Sequence, residues 1–228
     1  SGAFDYVNLH WYYIRQDNGP ALDAARRQDM GVFIISPTDK GGHLHTPSQR
    51  LLELCAPLHP IVFNDLFCLQ DPRVHTISVG AARPEDLELH LEALRLLPES
   101  ASLVAPVDQR LRQAADEALG RDWMATWSVG LPPWHATPGE INLPVLLWLY
   151  NLLEAWDLES YARARYGLLG SGGHWFAGAN ADGFDAEVSV EELQSVLQES
   201  PWRERIPEIL RSLKQRLKGE SQMRLSSV

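Results

Sequence analysis

Over roughly its first hundred residues the chain alternates between short apolar runs and amphipathic segments. The runs at 4–10 (FDYVNLH), 31–35 (GVFII) and 74–79 (VHTISV) are β-branched or aromatic-rich and predict strands. A helix is expected near 20–28, with Pro20 suited to its first turn. TPSQRLLELCAPL reads as another, with Thr46 or Ser48 as N-cap. A further helix over about 60–70 ends at Asp71-Pro72, and one over 84–97 carries Leu87, Leu91 and Leu94 at helical spacing. The order β-α-β-α-β-α predicts a parallel sheet with helical crossovers. The wholly apolar 31–35 run predicts a strand covered on both faces.

From about Pro98 the pattern changes, and no clear strand follows. VDQRLRQAADEAL (107–119) predicts a helix, and 143–166 predicts one long or broken helix. The segment 189–200 opens with a capping box, Ser189 and Glu192. An amphipathic helix over 206–220 is expected to end at Gly219. Gly-, Pro- and Trp-rich connections lie at 127–144 and 167–183. The chain therefore reads as two parts, 1–97 and 98–228.

Three parallel strands leave two apolar edges unpaired, and such sheets persist when covered and flanked. A closed eight-stranded barrel supplies the missing neighbours. The expected fold is α/β: the last three βα units of a TIM (β/α)8 barrel, followed by an all-α C-terminal extension. At about 30 residues per βα unit, about 130–170 further N-terminal residues are expected in the full-length protein. A start at Ser1 without Met fits a processed or truncated chain.

A net charge of −10 argues against a nucleic-acid surface, which needs a basic stripe. No run of 18 apolar residues spans a membrane, and no signal peptide is read at the N-terminus. Cys55 and Cys68 lie in apolar helical patterns and read as buried small hydrophobes in a reducing cytoplasm.

The candidate chemistry lies in residues 74–94. There a strand feeds a helix N-terminus through Gly80, Ala81 and Ala82, followed by Arg83 and Pro84. Such a loop lets backbone N–H groups and the helix dipole meet a phosphate, although an ordinary tight βα turn has the same pattern. The segment resembles the last strand–loop–helix of the aldo/keto reductases, which grips the adenosine end of a nicotinamide cofactor. GVFIISPTDKGG (31–42) resembles the family's seventh strand and Ser-Pro loop, and FDYVNLHWYY (4–13) its sixth strand.

The resemblance implies a cofactor, NADP or NAD, and a small-molecule carbonyl substrate. It implies that Asn8 faces the nicotinamide carboxamide and that Ser36, Thr38 and Lys40 cradle the pyrophosphate. Gly80, Ala81, Ala82, Arg83, Asp86 and His90 would hold the adenosine end. Asp86 suits a free 2′-hydroxyl and Arg83 a 2′-phosphate, so the choice of dinucleotide stays open. His90 reads either as a helix-surface histidine or as an adenine contact. Ile35 stands where the family often stacks an aromatic on the nicotinamide.

The family's catalytic Asp, Tyr, Lys and His sit on earlier strands, so no position here receives them. His10 lies on the sixth strand rather than the fourth and is not assigned as catalytic. The isolated chain is therefore expected to be inactive. One branch of the family carries a C-terminal run of ferredoxin-like cysteines. WSVGLPPWHATP resembles that run with every cysteine replaced, by Trp127, Gly130, Pro133 and Thr137, and reads equally as a Trp-anchored connection between helices; no iron–sulfur cluster is expected. His174 has no Cys and no second His at ligand spacing, and His43 with His45 could face one side but as a lone pair in a loop make a poor metal site. The alternative is a non-catalytic nucleotide-binding or protein-interaction module on the same fold. Oligomeric state is not legible.

Overall fold

The computed structural model describes residues 3–171 and 176–218. It is a helix-rich α/β structure with one small parallel sheet, divided into two compact units, Ser1–Gln113 and Ala114–Val228.

The first unit holds strands β1 (Tyr6–Leu9), β2 (Gly31–Ile35) and β3 (Thr76–Ser78), paired in parallel in the order β1-β2-β3. The expected parallel pairing is found, with β1 and β3 at the two edges. Helices α1 (Gly19–Arg27), α2 (Gln49–Cys55), α3 (Pro60–Leu69) and α4 (Pro84–Leu96) complete the alternation. One sheet face is packed: Val7, Leu9, Val32, Ile34 and Ile77 join Trp11, Tyr12, Leu22, Ala25 and Cys68 in a single core. Cys55 and Cys68 are buried free thiols, as expected.

The other face is bare, which corrects the expectation that β2 is covered on both sides. Tyr6, Asn8 and Phe33 are exposed there, with the Tyr6 and Phe33 rings 5.2 Å apart. Burying a Phe side chain contributes about 1.5–3 kcal/mol, so this face forgoes substantial stabilisation. The leucine spacing on α4 is also turned outward: Leu87, Leu91 and Leu94 are 49%, 44% and 55% exposed. The buried face of α4 is Asp86, His90 and Ala93. It lies one residue earlier along the helix, about 100° round its axis.

Helix α5 (Ser100–Leu119) starts well before the expected 107 and carries Pro106 inside it. Its residues 100–113 belong to the first unit, to which polar groups of this stretch also bond. The Tyr13 hydroxyl donates to Asp108 Oδ1 at 2.9 Å, and Arg110 Nε donates to the Leu54 carbonyl at 2.9 Å. The boundary accordingly falls at 113 rather than 97.

The second unit holds α6 (Arg121–Thr126), α7 (Leu143–Trp156), α8 (Glu159–Leu168), α9 (Val190–Ser195) and α10 (Ile206–Leu217). The 143–166 segment is broken at Asp157, whose left-handed backbone (φ 55°) separates α7 from α8. The Ser189 capping box forms, with Ser189 N–H donating to Glu192 Oε2 at 2.8 Å and Glu192 N–H donating to Ser189 Oγ at 3.2 Å. The cysteine-free run is a packed connection: a Cβ at Gly130 (φ 69°) would meet the Glu199 carbonyl carbon at 2.3 Å. His174 and Gly219 lie outside the described residues.

Candidate functional site

Because β2 and β3 run parallel side by side, the loops leaving their C-terminal ends start as neighbours. Ser36, just past β2, donates its N–H to the Ser78 carbonyl at 3.1 Å and so extends the ladder into the loops. Ser36 adopts φ 55°, a left-handed conformation that turns the chain sharply away from the sheet. The loop then folds on itself: Lys40 N–H donates to the Ser36 carbonyl, His43 N–H to Asp39 and Leu44 N–H to Thr38. Gly41 is required by close approach, since a Cβ there would lie 1.9 Å from the Pro37 carbonyl oxygen. Asn64 on α3 holds the same carbonyl from below, its Nδ2 donating at 3.1 Å.

The two loops line one cavity of about 360 Å³, formed by Ser36, Thr38, Asp39, His45, Ser78, Val79, Gly80, Ala81 and Ala82. Five of the expected site residues meet there: Ser36, Thr38, Gly80, Ala81 and Ala82. Lys40 does not line it; its ammonium donates to His10 Nε2 at 3.3 Å, and His10 Nδ1 lies 2.5 Å from the Tyr12 hydroxyl. That hydroxyl donates in turn to the Ile35 carbonyl. Asn8 is on the bare sheet face, paired with Phe33, and does not line the cavity.

The start of α4 differs from the expected phosphate cradle in one respect. The Ala82 and Arg83 N–H groups both donate to Asp86 Oδ2, at 2.9 and 3.0 Å. The protein's own carboxylate occupies the anion position at this helix N-terminus, as a capping-box residue does. Asp86 is 1% exposed, so it is a clamp on the loop rather than a side chain offered to a ribose. Burial works against its charge, but the Arg83 and Ala82 N–H groups and the Arg83 guanidinium hold its carboxyl below the usual range. Arg83 itself is exposed and bridges the two loops, donating to the His45 carbonyl at 3.1 Å and to Asp86 Oδ1 at 3.2 Å.

His90 is neither a surface histidine nor an open adenine contact. It is buried beneath the cavity, with Nδ1 2.5 Å from Asp65 Oδ2 on α3 and Nε2 3.5 Å from Thr38 Oγ1. Asp65 was missed in the sequence, although Asn64-Asp65 is a polar pair inside the otherwise apolar run PIVFNDLFCL. A carboxylate there needs a partner, which is the signal that could have drawn notice.

No family model matches the chain, and no curated protein or solved structure matches it either.

Proposed function

We propose that the chain carries the cofactor-gripping part of an NAD(P)-dependent oxidoreductase of the aldo/keto reductase kind. Its three βα units are read as the closing part of a (β/α)8 barrel. In the complete enzyme a hydride passes from the reduced nicotinamide to a carbonyl carbon, and the groups that protonate the carbonyl oxygen lie outside these units. The observation that carries the reading is the cavity shared by the loops after β2 and β3. Ligands in barrels and open α/β sheets sit at the C-terminal ends of parallel strands, where this cavity is. Its volume falls in the range of small-molecule sites. The bare face of Tyr6, Asn8 and Phe33 is what an inward-facing barrel surface presents when its remaining strands are not alongside.

The geometry favours the 2′-phosphorylated cofactor. Asp86 is withdrawn and satisfied, and the exposed Arg83 guanidinium at the cavity's edge, beside the His45 carbonyl, suits a phosphate, while the exposed Asp39 carboxylate on the cavity wall opposes one. The buried thiols accord with a cytoplasmic setting. Among the described residues no single helix is long and apolar enough to cross a membrane.

Fluorescence titration of the chain with NADPH and NADH tests the reading. NADPH should bind more tightly, and Arg83→Ala should weaken NADPH about ten-fold while sparing NADH, because a charged hydrogen bond contributes about 1.5–3 kcal/mol. No saturable binding of either would overturn it. That result would favour the second reading, a non-catalytic interaction module, which the exposed Leu87, Leu91 and Leu94 stripe supports.

A further inference from the structure

Beneath the cavity, three side chains stand in hydrogen-bond sequence. The hydroxyl of Thr38, a cavity-lining residue, lies 3.5 Å from His90 Nε2, and His90 Nδ1 lies 2.5 Å from Asp65 Oδ2. They come from the loop after β2, from α4 and from α3, and none is more than 7% exposed. A carboxylate only accepts, so Asp65 fixes the proton of neutral His90 on Nδ1 and leaves the Nε2 lone pair facing Thr38. The Thr38 proton is then aimed at that lone pair. Asp65 Oδ1 has no hydrogen-bond partner, so the side chain is bonded through His90 alone. A half-satisfied buried acid in an apolar helix is a poor source of stability and calls for another explanation.

We propose that Thr38, His90 and Asp65 are a nucleophile, its general base and the acid that orients the base, and that this cavity hydrolyses short, uncharged carboxylic esters. The proposal needs the cavity but not the dinucleotide reading. A hydroxyl, an imidazole and a buried carboxylate in this order activate an otherwise weak nucleophile. At 3.5 Å the Thr38–His90 contact is long, and it closes as the proton moves. The lining selects the substrate: Val79, Ala81 and Ala82 give small apolar surface for an acyl group, and the exposed Asp39 disfavours an anion. The Gly80 and Ala81 N–H groups make no hydrogen bond among the described residues and can receive the carbonyl oxygen as it becomes an oxyanion.

Thr38 Oγ1 forms a bond to the acyl carbon while its proton passes to His90 Nε2. The tetrahedral adduct collapses, the bond to the alkoxy oxygen breaks, and that oxygen leaves as an alcohol with the proton from Nε2. Water then attacks the acyl carbon on Thr38 and gives a proton to Nε2. The carboxylic acid departs as Thr38 Oγ1 takes that proton back. Asp65 stays ionised and steadies the imidazolium in both halves. Burial opposes a charge on His90, but the Asp65 hydrogen bond leads the contacts that raise its pKa.

The test uses the full chain and p-nitrophenyl acetate. Nitrophenolate release is followed by absorbance, and acetyl groups are located by peptide mass mapping after an acid quench. Steady release is expected, with acetyl on Thr38. Thr38→Val, close in shape, should abolish both, whereas Thr38→Ser restores a hydroxyl and should be acetylated at that position. His90→Gln should slow acetylation about 100-fold or more, as loss of a general base does. Asp65→Asn should lower kcat with little change in KM, because it disturbs the base and not the lining. No release above the buffer rate, release unchanged in Thr38→Val, or acetyl groups only on other residues would overturn the proposal. Excess NADPH supplies a second arm. Acetylation of Thr38 that NADPH leaves untouched keeps the hydrolytic site and rejects the dinucleotide reading of this cavity; acetylation that NADPH blocks supports both.

Discussion

The two units solve the burial problem differently. Of the large apolar side chains left exposed among the described residues, only Val129 lies in the second unit, while Phe4, Tyr6, Phe33, Val79, Leu87, Leu91 and Leu94 all lie in the first. The second unit is helices closed on Trp123, Leu143, Leu146, Leu147, Tyr161 and Leu210, all essentially inaccessible. The first has a core on one side of its sheet and open apolar surface on the other and along α4. A helix satisfies its own backbone, so a bundle can stop at any helix; a parallel sheet stops only with unpaired edges. The contrast separates a part whose apolar side chains are covered from a part that leaves many of them open.

The largest effect is expected where the closed unit is densest. Trp123 is fully buried, donates from Nε1 to Asn151 Oδ1 at 2.6 Å, and lies 4.4 Å beneath the Arg205 guanidinium. Trp123→Ala should cost about 3–5 kcal/mol, read as a lower urea midpoint in far-UV circular dichroism. An unchanged midpoint would break the picture of a self-contained helical core.

A smaller cost is expected in the open unit, with a larger consequence for binding. Gly41→Ala forces the loop after β2 away from Pro37 and should cost roughly 1–3 kcal/mol, the range for overpacking. It should also abolish saturable NADPH binding while leaving circular dichroism near wild type. Retained binding would show that the loop's shape does not make the site.

The smallest change in stability should come from the leucine stripe. Replacing Leu87, Leu91 and Leu94 together by Lys should shift stability by only about 0.5 kcal/mol per site, as at other exposed positions. Any self-association that sedimentation velocity detects for the wild type should fall in this variant, because three exposed apolar side chains are removed. A large loss of stability would mean that the stripe is packed, and would erase the contrast between the units.

Much of this was legible in the chain itself. The 31–35 run, the small-residue loop 80–82 and the Ser189 capping box each carry a local signal, and each forms where expected. The adjacency of the loops 36–45 and 78–82 was legible only through the parallel strand order. What escaped depends on what lies opposite. The spacing of Leu87, Leu91 and Leu94 identifies an apolar face but not whether anything covers it. Asp86 reads as a ribose ligand until the Ala82 and Arg83 N–H groups are seen to claim it. Asp65 gains meaning from His90, twenty-five residues away and on another helix.

In the function proposed above, the loops after β2 and β3 hold one phosphate-bearing dinucleotide between them. Backbone ¹H–¹⁵N spectra of the chain, recorded during NADPH titration, address it most directly. Saturable shifts are expected to concentrate on Ser36, Thr38, Gly80, Ala81 and Ala82, all with one dissociation constant. Saturable shifts confined to other residues, or none at all, would contradict it.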